Sequence, residues 1–230
     1  MSNYIKFIKM HTSQKNILKK CDTLMLDMDG TILDLAYDSF IWLDLVPKEY
    51  AKKLGISLDD ATAKLYKYFI SLQGTLKWYS VDHWSDLLDI DIIKLHQMES
   101  AKIQYLPGAE KFLNDIKKYD IRVLLVTNAH GDILKLKSEV TGLDKYFDQM
   151  YVSHDFGAPK ESQLFWQNLN DTEKFDIKRT LFVDDTEKVL DSARQYGIDS
   201  LVQITNSDSK QKQQIVKNYL GMTGVIELIE

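Results

Sequence analysis

The segment Leu24-Met25-Leu26-Asp27-Met28-Asp29-Gly30-Thr31 constrains this chain more than any other. Three consecutive apolar residues fit a short strand buried on both faces. The run ends in two carboxylates one residue apart, and Gly30 supplies the backbone freedom that a sharp turn needs. Burying a strand that delivers two acids into a turn is costly unless the charges have a partner. In open α/β sheets, ligands bind just beyond the carboxyl ends of the strands. The segment therefore predicts an anionic site at a strand tip, suited to a divalent cation. Taken alone, Asp-x-Asp after a strand also describes the start of a solvated loop, so the rest of the chain has to decide.

Later segments alternate between strand and helix. Ile121 to Val126 is apolar apart from Arg122 and ends in Thr127-Asn128. A helix follows from Asp132 to Val140, stopped at Thr141-Gly142. Gln149 to Ser153 reads as a third strand, and Ala158-Pro159-Lys160 precedes a helix over 161–169. Thr180 to Val183 is a fourth strand ending in Asp184-Asp185. A helix from Glu187 to Tyr196 closes at Gly197, and Ser200 to Ile204 is a fifth strand. From Asp208 the tail reads as a polar helix, then as an apolar stretch over 225–229. This alternation predicts an α/β fold, a Rossmann-like doubly wound parallel sheet with right-handed crossovers.

Residues 34–105 have a different character, with helical periodicity and no convincing strand. Pro47 marks a helix start. Ser57 with Asp60 resembles a capping box, followed by Ala61, Leu65, Tyr68, Phe69 and Leu72 at helical spacing. Trp78, Tyr79, His83, Trp84, Leu87 and Leu88 make a second, aromatic-rich helix, and Ile92, Ile93 and Leu95 open a third. A helical block of roughly seventy residues between two strands is too long for an ordinary crossover. The expected organisation is an arm or helix over 1–20, an α/β core from 21–34 and 106–230, and a helical cap inserted over 35–105. Pro107-Gly108 announces the first core helix after it, carrying Ala109, Phe112, Leu113 and Ile116.

Composition narrows the partners. The formal net charge is -5, so there is no global attraction to a nucleic acid polymer or an anionic membrane. Any phosphate must be met by local cations or a metal. Cys21 is the only cysteine, which rules out an intrachain disulfide and a cysteine-based zinc cage. No apolar run reaches transmembrane length and residues 1–20 do not read as a secretory signal, so the expected location is cytoplasmic. His83, His130 and His154 read equally well as structural, and no pair has the spacing of a zinc protease.

Polar groups thus gather at three strand ends: Asp27 and Asp29, Thr127 and Asn128, Asp184 and Asp185, with Lys160 at a helix start. Such a set suits phosphoryl transfer. A carboxylate approaching a phosphate dianion meets repulsion, which a magnesium ion shared between carboxylates and a phosphate oxygen removes. A hydroxyl and an ammonium hold the remaining oxygens, and a second carboxyl protonates the leaving alcohol and then activates water. The intermediate is an aspartyl phosphate.

The string Asp-Met-Asp-Gly-Thr behind an apolar strand resembles the first motif of the haloacid dehalogenase-like superfamily, mostly phosphohydrolases. The resemblance implies Asp27 as nucleophile and Asp29 as general acid/base, with Mg2+ held by Asp27, Asp185 and the backbone carbonyl of Asp29. Leu124 to Asn128 looks like the second motif, implying phosphate binding by Thr127 and Asn128. Lys160 after Pro159 looks like the third motif's lysine. Phe182-Val183-Asp184-Asp185 looks like the acidic fourth motif. Many relatives have glycine where Asp184 stands and another acid near Val189, so Asp184 is given a supporting role.

Four further strings, over 34–42, 76–84, 127–130 and 156–161, resemble the branch of this superfamily that acts on purine 5'-nucleotides, GMP and IMP. The resemblance covers nearly all of residues 22–208 and implies a small phosphate ester, a purine nucleoside monophosphate, as substrate. Related caps serve sugar phosphates, and a phosphomutase uses the same core. A true dehalogenase normally lacks the second acid. A phospho-aspartate signalling module is shorter and has no cap, and nothing in the acid set favours a non-catalytic binding module. Trp42, Trp78, Tyr79 and Trp84 offer rings for stacking on a base, or form the core of the cap.

Overall fold

A computed structural model describes residues 17–230. The arm expected over 1–20 lies outside the described residues, except that Leu18–Lys20 form a 3-10 turn. Six strands form one parallel sheet: β1 (Thr23–Leu26), β2 (Arg122–Thr127), β3 (Gln149–Val152), β4 (Thr180–Asp184), β5 (Ser200–Ile204) and β6 (Leu220–Met222), in the order β3-β2-β1-β4-β5-β6. The order reverses beside β1, which lies between β2 and β4. That is the switch point at which such sheets bind ligands.

Alternate residues face opposite sides of a strand, and here both sides are buried. Leu24, Leu26, Leu125, Val183 and Val202 point into one apolar cluster. The helices α7 (Ala109–Ile116) and α8 (Gly131–Thr141) cover it with Phe112, Leu113 and Ile133. Met25, Leu124, Val126 and Phe182 point the other way. There they meet Phe165, Trp166 and Leu169 of α9 (Gln163–Glu173) and Val189, Leu190 and Ala193 of α10 (Glu187–Tyr196). Each fully buried Leu or Phe side chain in these layers contributes about 1.5–3 kcal/mol.

Helices fill the chain between β1 and α7. Leu33 bridges antiparallel to Tyr105, and Leu106 N–H donates to Ile32 O at 2.9 Å, so the chain leaves and re-enters the sheet layer at adjacent points. The helices are α1 (Ala36–Phe40), α2 (Val46–Leu54), α3 (Leu58–Leu72), α4 (Leu76–Tyr79), α5 (Val81–Leu88) and α6 (Ile92–Met98). Trp84 is their centre, with ring centroids of Trp42 at 5.5 Å and of Phe69 at 5.3 Å.

Pro47 stands in the first turn of α2, as expected, and two other local expectations change. The chain runs helically from α1 through a π turn at Ile41–Leu45 into α2; Pro47 has no N–H to continue an i→i−4 ladder, and the wider turn absorbs the mismatch. The aromatic helix is two helices, because Ser80 adopts an extended conformation and its hydroxyl accepts from His83 N–H, starting a new helix. The polar part of the tail is not helical, and only Val225–Leu228 form a 3-10 turn. Gln213 donates to Thr205 Oγ1 at 2.8 Å and Gln214 to Ser207 Oγ at 3.1 Å. These tertiary bonds hold the polar stretch in irregular backbone against the loop after β5, and β6 then adds to the sheet.

Candidate active site

Register decides which side chains meet. Leu26 is level with Leu125 on β2 and Val183 on β4. The next residue outward, Asp27, therefore stands beside Asp184 at the tip of β4, and its N–H donates to Val183 O at 3.0 Å. Asp27, Asp184 and Asp185 are buried, and one carboxylate oxygen of each lies within 4.8 Å of the others.

Lys160 enters this cluster from the loop before α9. Its ammonium bonds Asp27 Oδ1, Asp184 Oδ2 at 2.7 Å and Val126 O at 3.0 Å. Burial pulls the ammonium toward deprotonation, but Asp184 and Asp27 outweigh it and hold the lysine charged. Burial in turn pushes the Asp27 carboxyl well above its ordinary range. Burial and the neighbouring Asp184 push Asp185 up to about 7.

Three carboxylates against one ammonium leave two negative charges unbalanced, which is the charge of one divalent cation. The donors are all carboxylate oxygens, the hard set that magnesium prefers. Gly30 keeps the approach open. Its φ is +83°, and a Cβ there would lie 2.6 Å from Asp185 Oδ2. The residues present fit a magnesium site.

Asp29 turns the other way. Its Oδ1 accepts from Lys137 Nζ at 2.6 Å, and the same ammonium bonds both oxygens of Asp38 at 2.9 and 2.7 Å. Burial and the Asp38 charge push the Asp29 carboxyl up to about 6, against the opposing pull of Lys137. The side chain of Asp29 thus stands apart from the three clustered carboxylates, as a group able to exchange a proton near neutral pH.

The remaining expected residues share the same cleft, whose volume is ≈ 830 Å³. Thr127 Oγ1 accepts from Ala129 N–H at 3.0 Å, which leaves its own proton for a ligand. Asn128 is occupied on both sides. Its Oδ1 accepts from Lys160 N–H at 2.9 Å and its Nδ2 donates to Glu161 Oε2 at 3.0 Å, so the side chain orders the Lys160 loop. Glu161 also accepts from Tyr79 O–H at 2.6 Å, joining α4 to that loop. Trp42, Phe69 and Trp78 line the same cleft as the acids.

Sequence reasoning missed Lys137, Asp38 and Glu161. Lys137 left one readable signal, a lysine on the stripe of α8 that Ile133 and Leu134 bury. Asp38 and Glu161 lay inside strings, 34–42 and 156–161, that carry a resemblance without marking either residue.

A family model described as haloacid dehalogenase-like hydrolase matches residues 24–203. The chain is 38% identical over 188 residues to the GMP/IMP nucleotidase YrfG of Escherichia coli (strain K12), spanning 82% of this chain and 85% of that protein. It is 27% identical over 179 residues to the pyrimidine 5'-nucleotidase YjjG of the same organism, spanning 73% of this chain and 78% of that protein. Among solved structures, a HAD phosphatase from Thermococcus onnurineus superposes with a TM-score of 0.75 at 22% identity, covering 90% of this chain and 95% of that one.

Proposed function

Because the chain belongs to the haloacid dehalogenase-like hydrolase family, we propose that it is a magnesium-dependent 5'-nucleotidase that hydrolyses purine nucleoside monophosphates through an aspartyl phosphate on Asp27. The observation that carries this reading is the cluster of Asp27, Asp184 and Asp185 around Lys160 at the switch point of the sheet. Asp27, Asp185 and the backbone carbonyl of Asp29 hold the cation, with Asp184 anchoring Lys160. When bound, magnesium offsets the repulsion between the Asp27 carboxylate and the phosphate dianion.

The protein's own groups do the rest. A carboxylate oxygen of Asp27 attacks phosphorus as the bond to the ester oxygen breaks. The electron pair of that bond stays on the leaving oxygen, which takes a proton from Asp29. In the second half Asp29 accepts a proton from water, whose oxygen bonds phosphorus as the bond to Asp27 breaks. Lys160 and the Thr127 hydroxyl hold phosphate oxygens, and Asn128 contributes its main-chain N–H, since its side chain is already bonded.

Helices α1 to α6 act as a cap that closes the cleft over the leaving group. The purine preference rests on the likeness to the GMP/IMP nucleotidase and on a cleft whose lining includes Trp42, Phe69 and Trp78. Stacking of a base on one exposed ring edge or face of Trp42 or Trp78 is worth about 1–3 kcal/mol. The test is a panel of purine and pyrimidine monophosphates and sugar phosphates, assayed with magnesium and with chelator. GMP and IMP should be turned over fastest, and chelator should abolish turnover. Faster hydrolysis of sugar phosphates or pyrimidine nucleotides would overturn the substrate assignment, and full activity in chelator would overturn the metal assignment.

A further inference from the structure

A lysine without exposure is rare, because an ammonium loses much of its hydration on burial. Lys137 is 1% exposed, on the inward stripe of α8, and its three N–H groups go to Asp29 Oδ1 and to both oxygens of Asp38. An ammonium has three donors, and all three are engaged by these two carboxylates. Unlike Lys160, Lys137 does not line the cleft, so it is not a phosphate contact. The only group of the proposed chemistry that it touches is Asp29. Its Nζ also sits 5.3 Å from the centre of the buried Tyr37 ring of α1.

Among the described residues, Asp29 is held by one oxygen, with no hydrogen-bond partner at Oδ2, and it lines the cleft together with Asp38. A carboxyl fixed at one oxygen and open at the other is what a proton donor to a leaving group requires: the fixed oxygen sets direction and the free one carries the proton. Asp38 belongs to α1, next to Ser39, whose hydroxyl donates to Asp208 Oδ2 at 2.8 Å. The clamp therefore joins a core helix, the catalytic turn and the first helix of the block above the cleft.

We propose that Lys137, braced by Asp38, is a positioning residue for the leaving-group proton transfer by Asp29. The proposal rests on the reading of Asp29 as the acid. When the bond between phosphorus and the ester oxygen breaks, that oxygen keeps the electron pair and takes the proton from Asp29 Oδ2. Lys137 remains bonded to Oδ1 throughout and transfers no proton.

The test compares GMP, whose alkoxide must be protonated to leave, with p-nitrophenyl phosphate, whose phenolate leaves without a proton. The quantity compared is the single-turnover rate of leaving-group release, because hydrolysis of the aspartyl phosphate, in which Asp29 acts as base, is common to both esters. In K137M the loss of that rate on GMP should exceed the loss on p-nitrophenyl phosphate by about tenfold or more, within the range attributable to general acid catalysis. KM for GMP should move little. Because K137M leaves two buried acids facing each other, the charge-balanced K137M/D38N variant is measured alongside and should show the same selective loss. Equal losses of release from both esters in the folded double variant, or a rise in KM alone, would overturn the proposal. D29N separates the two readings. If D29N shows the selective loss of release and the Lys137 variants do not, the clamp is wrong. If D29N itself slows release from both esters equally, the acid assignment is wrong.

Discussion

Asp27 and Lys160 lie 133 positions apart in the chain, yet the lysine ammonium bonds the Asp27 carboxylate directly at the tip of the central strand. Among the described residues, Lys160 is the one ammonium bonded within the three buried carboxylates, so its removal uncovers charge and takes away the proposed phosphate contact. K160M should destabilise the metal-free protein by about 3–5 kcal/mol, the range for breaking a buried pair. Urea denaturation in chelator measures this. Magnesium should restore part of the loss, because a cation can neutralise the same acids, while turnover stays abolished.

The clustered acids also make stability depend on pH. Asp185 titrates near 7 and Asp29 near 6 in the folded protein, against an ordinary carboxylate value of about 3.9 in the unfolded chain. The folded state therefore binds more protons than the unfolded state between these values, so their contribution is most favourable in acid and is lost as pH rises through about 4 to 7. Melting temperature in chelator should fall across that window. Saturating magnesium should flatten the decline if, as proposed, it binds the ionised acids of the folded protein.

Gly30 should tolerate no side chain. Its left-handed backbone excludes most residues, and a Cβ would press on both Asp185 and Ser207, at 2.6 and 3.0 Å. G30A should cost about 1–3 kcal/mol from backbone strain alone. It should also weaken magnesium binding at least tenfold by displacing Asp185, as isothermal titration would show. A variant of unchanged magnesium affinity would mean that Asp185 is not a ligand.

How much of this was legible follows from where each signal sits. The β1 segment carried its own evidence, because an apolar run, two acids and a glycine are adjacent in the chain. The tips of β2 and β4 were legible for the same reason, and register alone brought them together. Lys137 and Asp38 were hidden because their meaning is a distance: 99 positions separate them, and only the crossing of α8 with α1 makes them partners. Strand β6 was hidden because three residues, one of them Gly221, carry almost no strand propensity. Its place is set by Thr205, whose Cγ2 would lie 3.1 Å from any Cβ at Gly221. The split of the aromatic helix at Ser80 reflects a competition between helix periodicity and a capping hydroxyl that spacing alone does not resolve.

The central claim is that Asp27 carries the phosphoryl group, and trapping tests it most directly. Enzyme quenched during turnover of GMP, reduced with borohydride and digested should show Asp27 converted to homoserine by mass spectrometry, with no such product from D27N. Conversion at another carboxylate, or hydrolysis that proceeds at the wild-type rate in D27N, would contradict the account.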